Sequence, residues 1–96
     1  MTLSILNDLG NGKEYTVHTN DNNYITFKRD EEVKTVKVKT CKKGDYIYKV
    51  QKTQVKAYNG AFSLFKWIDN ALRCPSRDIM AYNFIDTVFE KTEGIK

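Results

Sequence analysis

The stretch YITFKRDEEVKTVKVKT, Tyr24 to Thr40, decides the fold. Side chains alternate between the two faces of a strand, so each half of this stretch sorts its residues by parity. In the first half Ile25 and Phe27 fall on one side, and Tyr24, Thr26 and Lys28 on the other. Asp30-Glu31-Glu32 is a charged connection. The second half, Val33 to Thr40, is β-branched at five of its eight positions, a composition that suits a pleated and half-buried surface. Val36 and Val38 point to a core, and Thr35, Lys37 and Lys39 to water. Two amphipathic strands joined by a tight acidic turn predict an antiparallel pair with one bare face.

The same pattern extends both ways. Glu14 to Thr19 places Tyr15 and Val17 on one side and Thr16 and His18 on the other. The run Asn20-Asp21-Asn22-Asn23 predicts a turn, because Asn and Asp side chains stabilise tight backbone reversals. Downstream, Lys42-Lys43-Gly44-Asp45 predicts a hairpin loop with glycine at a position of positive φ. Tyr46 to Val50 predicts a further strand, with Tyr46, Tyr48 and Val50 sharing a face that is either core or an aromatic stacking platform. The phase then slips, since Val55 and Ala57 sit on odd numbers, and a bulge or tight turn near Gln51-Lys52 would account for it. Upstream, Leu3, Ile5, Leu6 and Leu9 predict a short helical turn or packed arm, ended by Gly10-Asn11-Gly12.

The last third changes period. Ala61, Leu64, Phe65, Ile68, Ala71 and Leu72 recur at three- and four-residue spacing, a wide apolar stripe on a helix that Asn59 could cap. Pro75 suits the first turn of a second helix, with Cys74 or Ser76 as its cap. Ile79, Tyr82, Ile85, Val88 and Phe89 form its stripe, and Gly94 stops it. Strands grouped before helices define an α+β domain rather than a parallel α/β one. The predicted architecture is one domain over residues 1–96: an arm or short helix (1–12), an antiparallel meander of four to five strands (13–58), and a two-helix hairpin (59–93) packed on one face.

Charge is segregated along this plan. Between Lys28 and Lys56 ten Lys or Arg face four acids, a local balance of +6, while the remainder balances to −2 within the overall +4. Alternation puts Lys28, Lys37, Lys39, Lys49 and Lys56, with Tyr24, on the face the helices leave bare. That face is the candidate binding surface, for phosphates with Tyr24 stacking on a base, or for an acidic protein surface. The plain structural alternative is a solvated lysine face that guards the sheet against aggregation.

Other residues nominate no chemistry. His18 is the lone histidine, without a paired carboxylate or cysteine nearby in sequence, and a zinc site would need His18, Cys41 and Cys74 to converge from distant segments. Cys41 adjoins Lys42-Lys43, which could activate its thiol, but it has no partner histidine. Asp86 and Glu90, one helical turn apart, could hold a cation or a basic partner. Phe62 and Trp67 lie at the edge of the first helical stripe, as boundary packing or as protein-binding anchors. No nucleophile–base pair, metal set or nucleotide motif appears, so neither an enzyme nor a cofactor is expected.

No apolar run reaches the ~18–20 residues of a membrane span, and no secretory signal opens the chain, so a cytoplasmic protein without a membrane partner is expected. Thirteen Lys against three Arg, with eight Asn, is the skew of AT-rich coding, common in low-GC bacteria and their phages. Scarce arginine weakens sequence-specific nucleic-acid recognition. The sequence therefore points first to a small non-enzymatic binding protein of phage or mobile-element type. It would act as a stoichiometric regulator or inhibitor of a protein target through its lysine face or an edge strand. Binding of DNA or RNA through the same face is the alternative, and an edge strand also allows a homodimer.

Overall fold

The computed structural model describes residues 1–6, 12–41, 49–51 and 54–91. The fold is α+β, a mostly antiparallel sheet followed by two helices. The strands are β1 (Thr2–Leu6), β2 (Glu14–Asp21), β3 (Tyr24–Arg29), β4 (Glu32–Cys41), β5 (Lys49–Gln51) and β6 (Gln54–Tyr58). The helices are α1 (Ala61–Arg73) and α2 (Asp78–Lys91). The strands form one sheet in the order β1-β2-β3-β4-β6-β5.

The structure corrects the predicted meander at both ends. Residues 2–6 form a strand antiparallel to β2, not a helical turn, with Leu3 opposite Val17. Five residues cannot repay helix nucleation, whereas they can add to the open edge of a preformed hairpin. At the other end β6 lies parallel to β4, pairing Val38 with Val55 and Thr40 with Ala57. Strand β5 is the outer strand, antiparallel to β6. The phase slip is thus a chain reversal, with Gln51 opposite Gln54, and it moves Val50 and Val55 onto the same side. The expected loop at 42–45, the Tyr46–Tyr48 strand residues and the Gly10 and Gly94 stops lie outside the described residues.

The core sits between the sheet and the helices. Tyr15, Val17, Ile25, Phe27, Val36, Val38, Val55 and Ala57 are buried on one sheet face, as parity predicts. Helix α1 buries Ala61, Leu64, Phe65, Ile68 and Ala71 against them. Helix α2 buries Ala81, Tyr82, Ile85 and Val88. The Phe84 ring meets Phe27 edge-on at 6.3 Å and Trp67 at 5.7 Å, joining sheet and both helices. Trp67 is therefore half-buried boundary packing. Ile79 departs from the predicted stripe: it is 59% exposed, as is its neighbour Met80 at 57%.

A side chain distant in sequence organises the start of α1. The Ncap is Gly60, with no capping bond of its own and φ 89°, rather than Asn59, which itself takes φ 62°. The helix is instead capped from the β2–β3 turn. The Asn22 side-chain oxygen accepts from Phe62 N–H at 3.0 Å, its main-chain carbonyl accepts from Ala61 N–H at 2.8 Å, and its amide donates to Asn59 O at 3.0 Å. At the other junction Cys74 O accepts from both Arg77 N–H and Asp78 N–H. Pro75 thus lies in a turn three residues before α2 begins at Asp78, rather than in the helix's first turn, and neither Cys74 nor Ser76 stands at the cap position.

A polar latch fastens α2 across the sheet. Asp86 Oδ1 accepts from the Tyr15 hydroxyl at 2.9 Å and from Arg29 Nη1 at 3.0 Å. Arg29 also reaches Glu32 at 3.3 Å and lies 4.6 Å over the Phe89 ring. Burial pulls the Arg29 pKa down, but hydrogen bonds and charge from Asp86 and Glu32 outweigh it, so the guanidinium ends above its ordinary value. Its stabilisation is complete below the unfolded pKa and lost only above the higher folded one, so neutral and mildly alkaline solutions leave it intact. Asp86→Ala removes a partner from the guanidinium and from the Tyr15 hydroxyl at once. It should destabilise by about 1–3 kcal/mol, less than breaking a fully buried pair because Asp86 is a third exposed. A urea melt of Asp86→Ala matching that of the wild type would refute the latch.

Candidate binding face

The sheet face opposite the helices carries the lysines. Pairing registers place Tyr24 opposite Lys37, Lys39 opposite Lys56, and Lys56 opposite position 49. Directly paired residues on neighbouring strands share a face with Cβ atoms ~4.5–5.5 Å apart. Lys37, Lys39 and Lys56 therefore form one cluster on β4 and β6, with Tyr24 beside it at 38% exposure. Lys28 shares the face but stands apart, between Thr16 and Val33. Position 49 falls in the same cross-strand row as Lys39 and Lys56, although its side chain lies outside the described residues.

Not every base of the Lys28–Lys56 stretch joins this cluster. Arg29 sits on the covered face in the latch, and Lys34 donates from that side to Phe89 O at 3.4 Å. Lys42, Lys43 and Lys52 lie outside the described residues. Strand parity alone divides Arg29 and Lys34 from Lys28, Lys37 and Lys39. The three arginines, Arg29, Arg73 and Arg77, are all absent from the bare face; Arg73 pairs with Asp69 at 2.8 Å on α1, and Arg77 lies in the turn before α2.

The cluster is electrostatically uncompensated among the described residues. Among the described residues, Lys37, Lys39 and Lys56 make no ion pair, and like charges set directly opposite one another on paired strands are unfavourable. Lys39 against Lys56 is such a pair.

The β1–β2–β3 half of the same face is hydroxyl-rich. His18 Nδ1 lies 2.6 Å from Thr2 Oγ1, Thr26 Oγ1 lies 2.8 Å from Thr35 Oγ1, and Ser4 Oγ lies 3.4 Å from Thr16 Oγ1. Each of these outward hydroxyls thus has its partner on the neighbouring strand. Their outward direction is legible in the sequence, but their pairing is not, because it depends on register.

The remaining candidates do not converge. His18 is on β2, Cys41 ends β4 opposite Tyr58, and Cys74 follows α1. Among the described residues no cluster of three or more metal-ligating side chains occurs. The Ser76 hydroxyl hydrogen bond, with a smaller contribution from the Arg77 charge, holds the Cys74 thiol below its ordinary pKa. Asp86 is occupied by Arg29 and Tyr15, so it forms no cation site with Glu90. Phe62, 41% exposed, lines an open groove of about 610 Å3 with Met1, Asn22, Asn59 and Lys66. That groove is invisible in the sequence, since three distant segments build it. No described helix is long and apolar enough to cross a membrane. No family model, curated protein or solved structure matches the chain.

Proposed function

We propose that this chain is a non-enzymatic binding protein that covers an acidic protein surface with its bare sheet face, regulating or inhibiting that target by occupancy. The observation that carries this reading is the uncompensated Lys37–Lys39–Lys56 cluster beside an exposed Tyr24. Carboxylates on a partner would relieve the repulsion between Lys39 and Lys56, and Tyr24 would supply the apolar contact that point charges lack. Absence of arginine from the face favours carboxylate partners over nucleic acid, because the guanidinium fork is the usual bidentate ligand of phosphate and guanine.

A second reading rests on the Tyr24–Lys37 pair, which could stack a base and hold its phosphate. One variant tests both. Lys37→Glu with Lys39→Glu reverses the cluster, yet sets the new carboxylate at position 39 against Lys56 as an opposite-charge pair worth about 0.2–1 kcal/mol. The variant should therefore fold at least as stably as the wild type while losing its partner. Affinity capture on the nuclease-treated wild type should recover one protein at equal stoichiometry, and the variant should recover none. Capture unchanged by the double substitution would remove the lysine face from the interaction. Recovery of nucleic acid alone, with affinity falling steeply in salt, would establish the second reading instead.

A further inference from the structure

We propose that two copies of this chain pair through the outer edges of β1, making one continuous sheet whose bare faces point the same way. The ladder to β2 orients the edge. Thr19 N–H donates to Met1 O at 3.0 Å, and the Met1 amine donates to Thr19 O at 3.1 Å, so these two residues exchange both bonds. Antiparallel ladders alternate, which gives Leu3 and Ile5 the same role and turns the main-chain groups of Thr2, Ser4 and Leu6 away from β2. Among the described residues nothing pairs with that outer side.

Among the described residues this edge has none of the usual guards. Thr2-Leu3-Ser4-Ile5-Leu6 contains no charge, proline or glycine, whereas the opposite edge, β5, is three residues long and carries Lys49. Neither helix packs extensively on β1, since α1 lies over β2, β3 and β6. An apolar seam borders the edge on that side: Leu3 is only partly buried, and Met1 is 50% exposed beside Phe62.

A second copy is the occupant that satisfies this edge without conflict. An antiparallel twofold centred on Ser4 sets Ser4 against Ser4 and Thr2 against Leu6, so every outward main-chain group of one copy meets an outward group of the other. No charged side chain meets another across the join. The two lysine clusters would stand about seven strand spacings apart, roughly 34 Å at ~4.8 Å per spacing. That exceeds the ~8 Å Debye length at physiological salt several-fold, so their repulsion is screened. The twofold is perpendicular to the sheet, which puts both helical layers on one side and both basic clusters on the other. The acidic-partner face thereby becomes bivalent, and two weak contacts act as one stronger one.

Sedimentation of the full chain over a concentration series tests the pairing without any partner. The wild type should rise from the 11.2 kDa chain mass to twice that value. Ser4→Pro removes an N–H that the β2 ladder does not use, and proline is tolerated at an edge position of this kind. It should stay at one chain mass with an unchanged melt. Ser4→Lys, which keeps the N–H but sets like charges together on the twofold, should do the same. Lys37→Glu with Lys39→Glu should dimerise like the wild type, which separates failure of the pairing from failure of the lysine face. A single-chain mass up to the solubility limit would overturn the proposal, as would a dimer that survives both Ser4 substitutions.

Discussion

Ile68→Ala should lower the stability of this domain by about 2–5 kcal/mol, whereas Ile79→Ala should change it by no more than about 0.5 kcal/mol. Both isoleucines sit on helical apolar stripes in the sequence. Ile68 is fully buried where α1 meets the sheet, and removing three of its side-chain carbons leaves a cavity that rigid strands on one side cannot close. Ile79 stands in the first turn of α2 in water, and its truncation removes little that folding had buried. Denaturant midpoints of the two variants, compared with the wild type, decide the matter. Equal effects would mean that the helical layer is rotated from the arrangement described.

Gly60→Ala should cost about 2–4 kcal/mol, the sum of backbone strain and a damaged cap. At φ 89° and ψ −159° the backbone occupies a region that is essentially glycine's alone. A Cβ there would lie 2.7 Å from the Asn22 carbonyl oxygen and from both polar atoms of its side chain. The methyl group would therefore evict the residue that caps α1. Asn22→Ala, which loses only the side-chain bonds to Phe62 N–H and Asn59 O, should cost about 1 kcal/mol. In the Asn22→Ala background, Gly60→Ala should cost less than it does alone, because the collision with the side chain has gone. Additive effects in that double-mutant cycle would deny any contact between the two residues.

The inward and outward residues of β2, β3 and β4 were legible because burial on one face forces a period of two. Tyr15, Ile25, Phe27, Val36 and Val38 are core by the same parity that puts Lys37 and Lys39 outside. Helix α1 was legible for the matching reason at period 3.6. Strand β1 was not, because five residues with Leu3, Ile5 and Leu6 fit a helical turn and a strand equally well. The edge of the β2–β3 hairpin decided between them. The parallel placement of β6 beside β4 was likewise hidden. Parity states which face a residue joins, but not which strand lies next to it.

The candidate face shows the same division. Outward direction of Lys28, Lys37, Lys39 and Lys56 follows from their own strands, as does the exclusion of Arg29 and Lys34. Their proximity does not. Lys39 and Lys56 are neighbours only because β6 inserts between β4 and β5. The Arg29–Asp86–Tyr15 latch leaves no trace in the sequence, because Asp86 is more than fifty residues from both of its partners.

By itself the sequence determined the periodicities: an alternating basic sheet and two amphipathic helices. These are local consequences of hydrophobic burial acting on neighbours in the chain. Tertiary structure alone decided the strand order, the cap that Asn22 lends to α1, and the meeting of Lys39 with Lys56. Those depend on which separated segments fit together once their apolar faces are joined. Contacts of that kind are chosen by shape and main-chain hydrogen bonding across the assembled fold, and they leave no repeating mark along the chain.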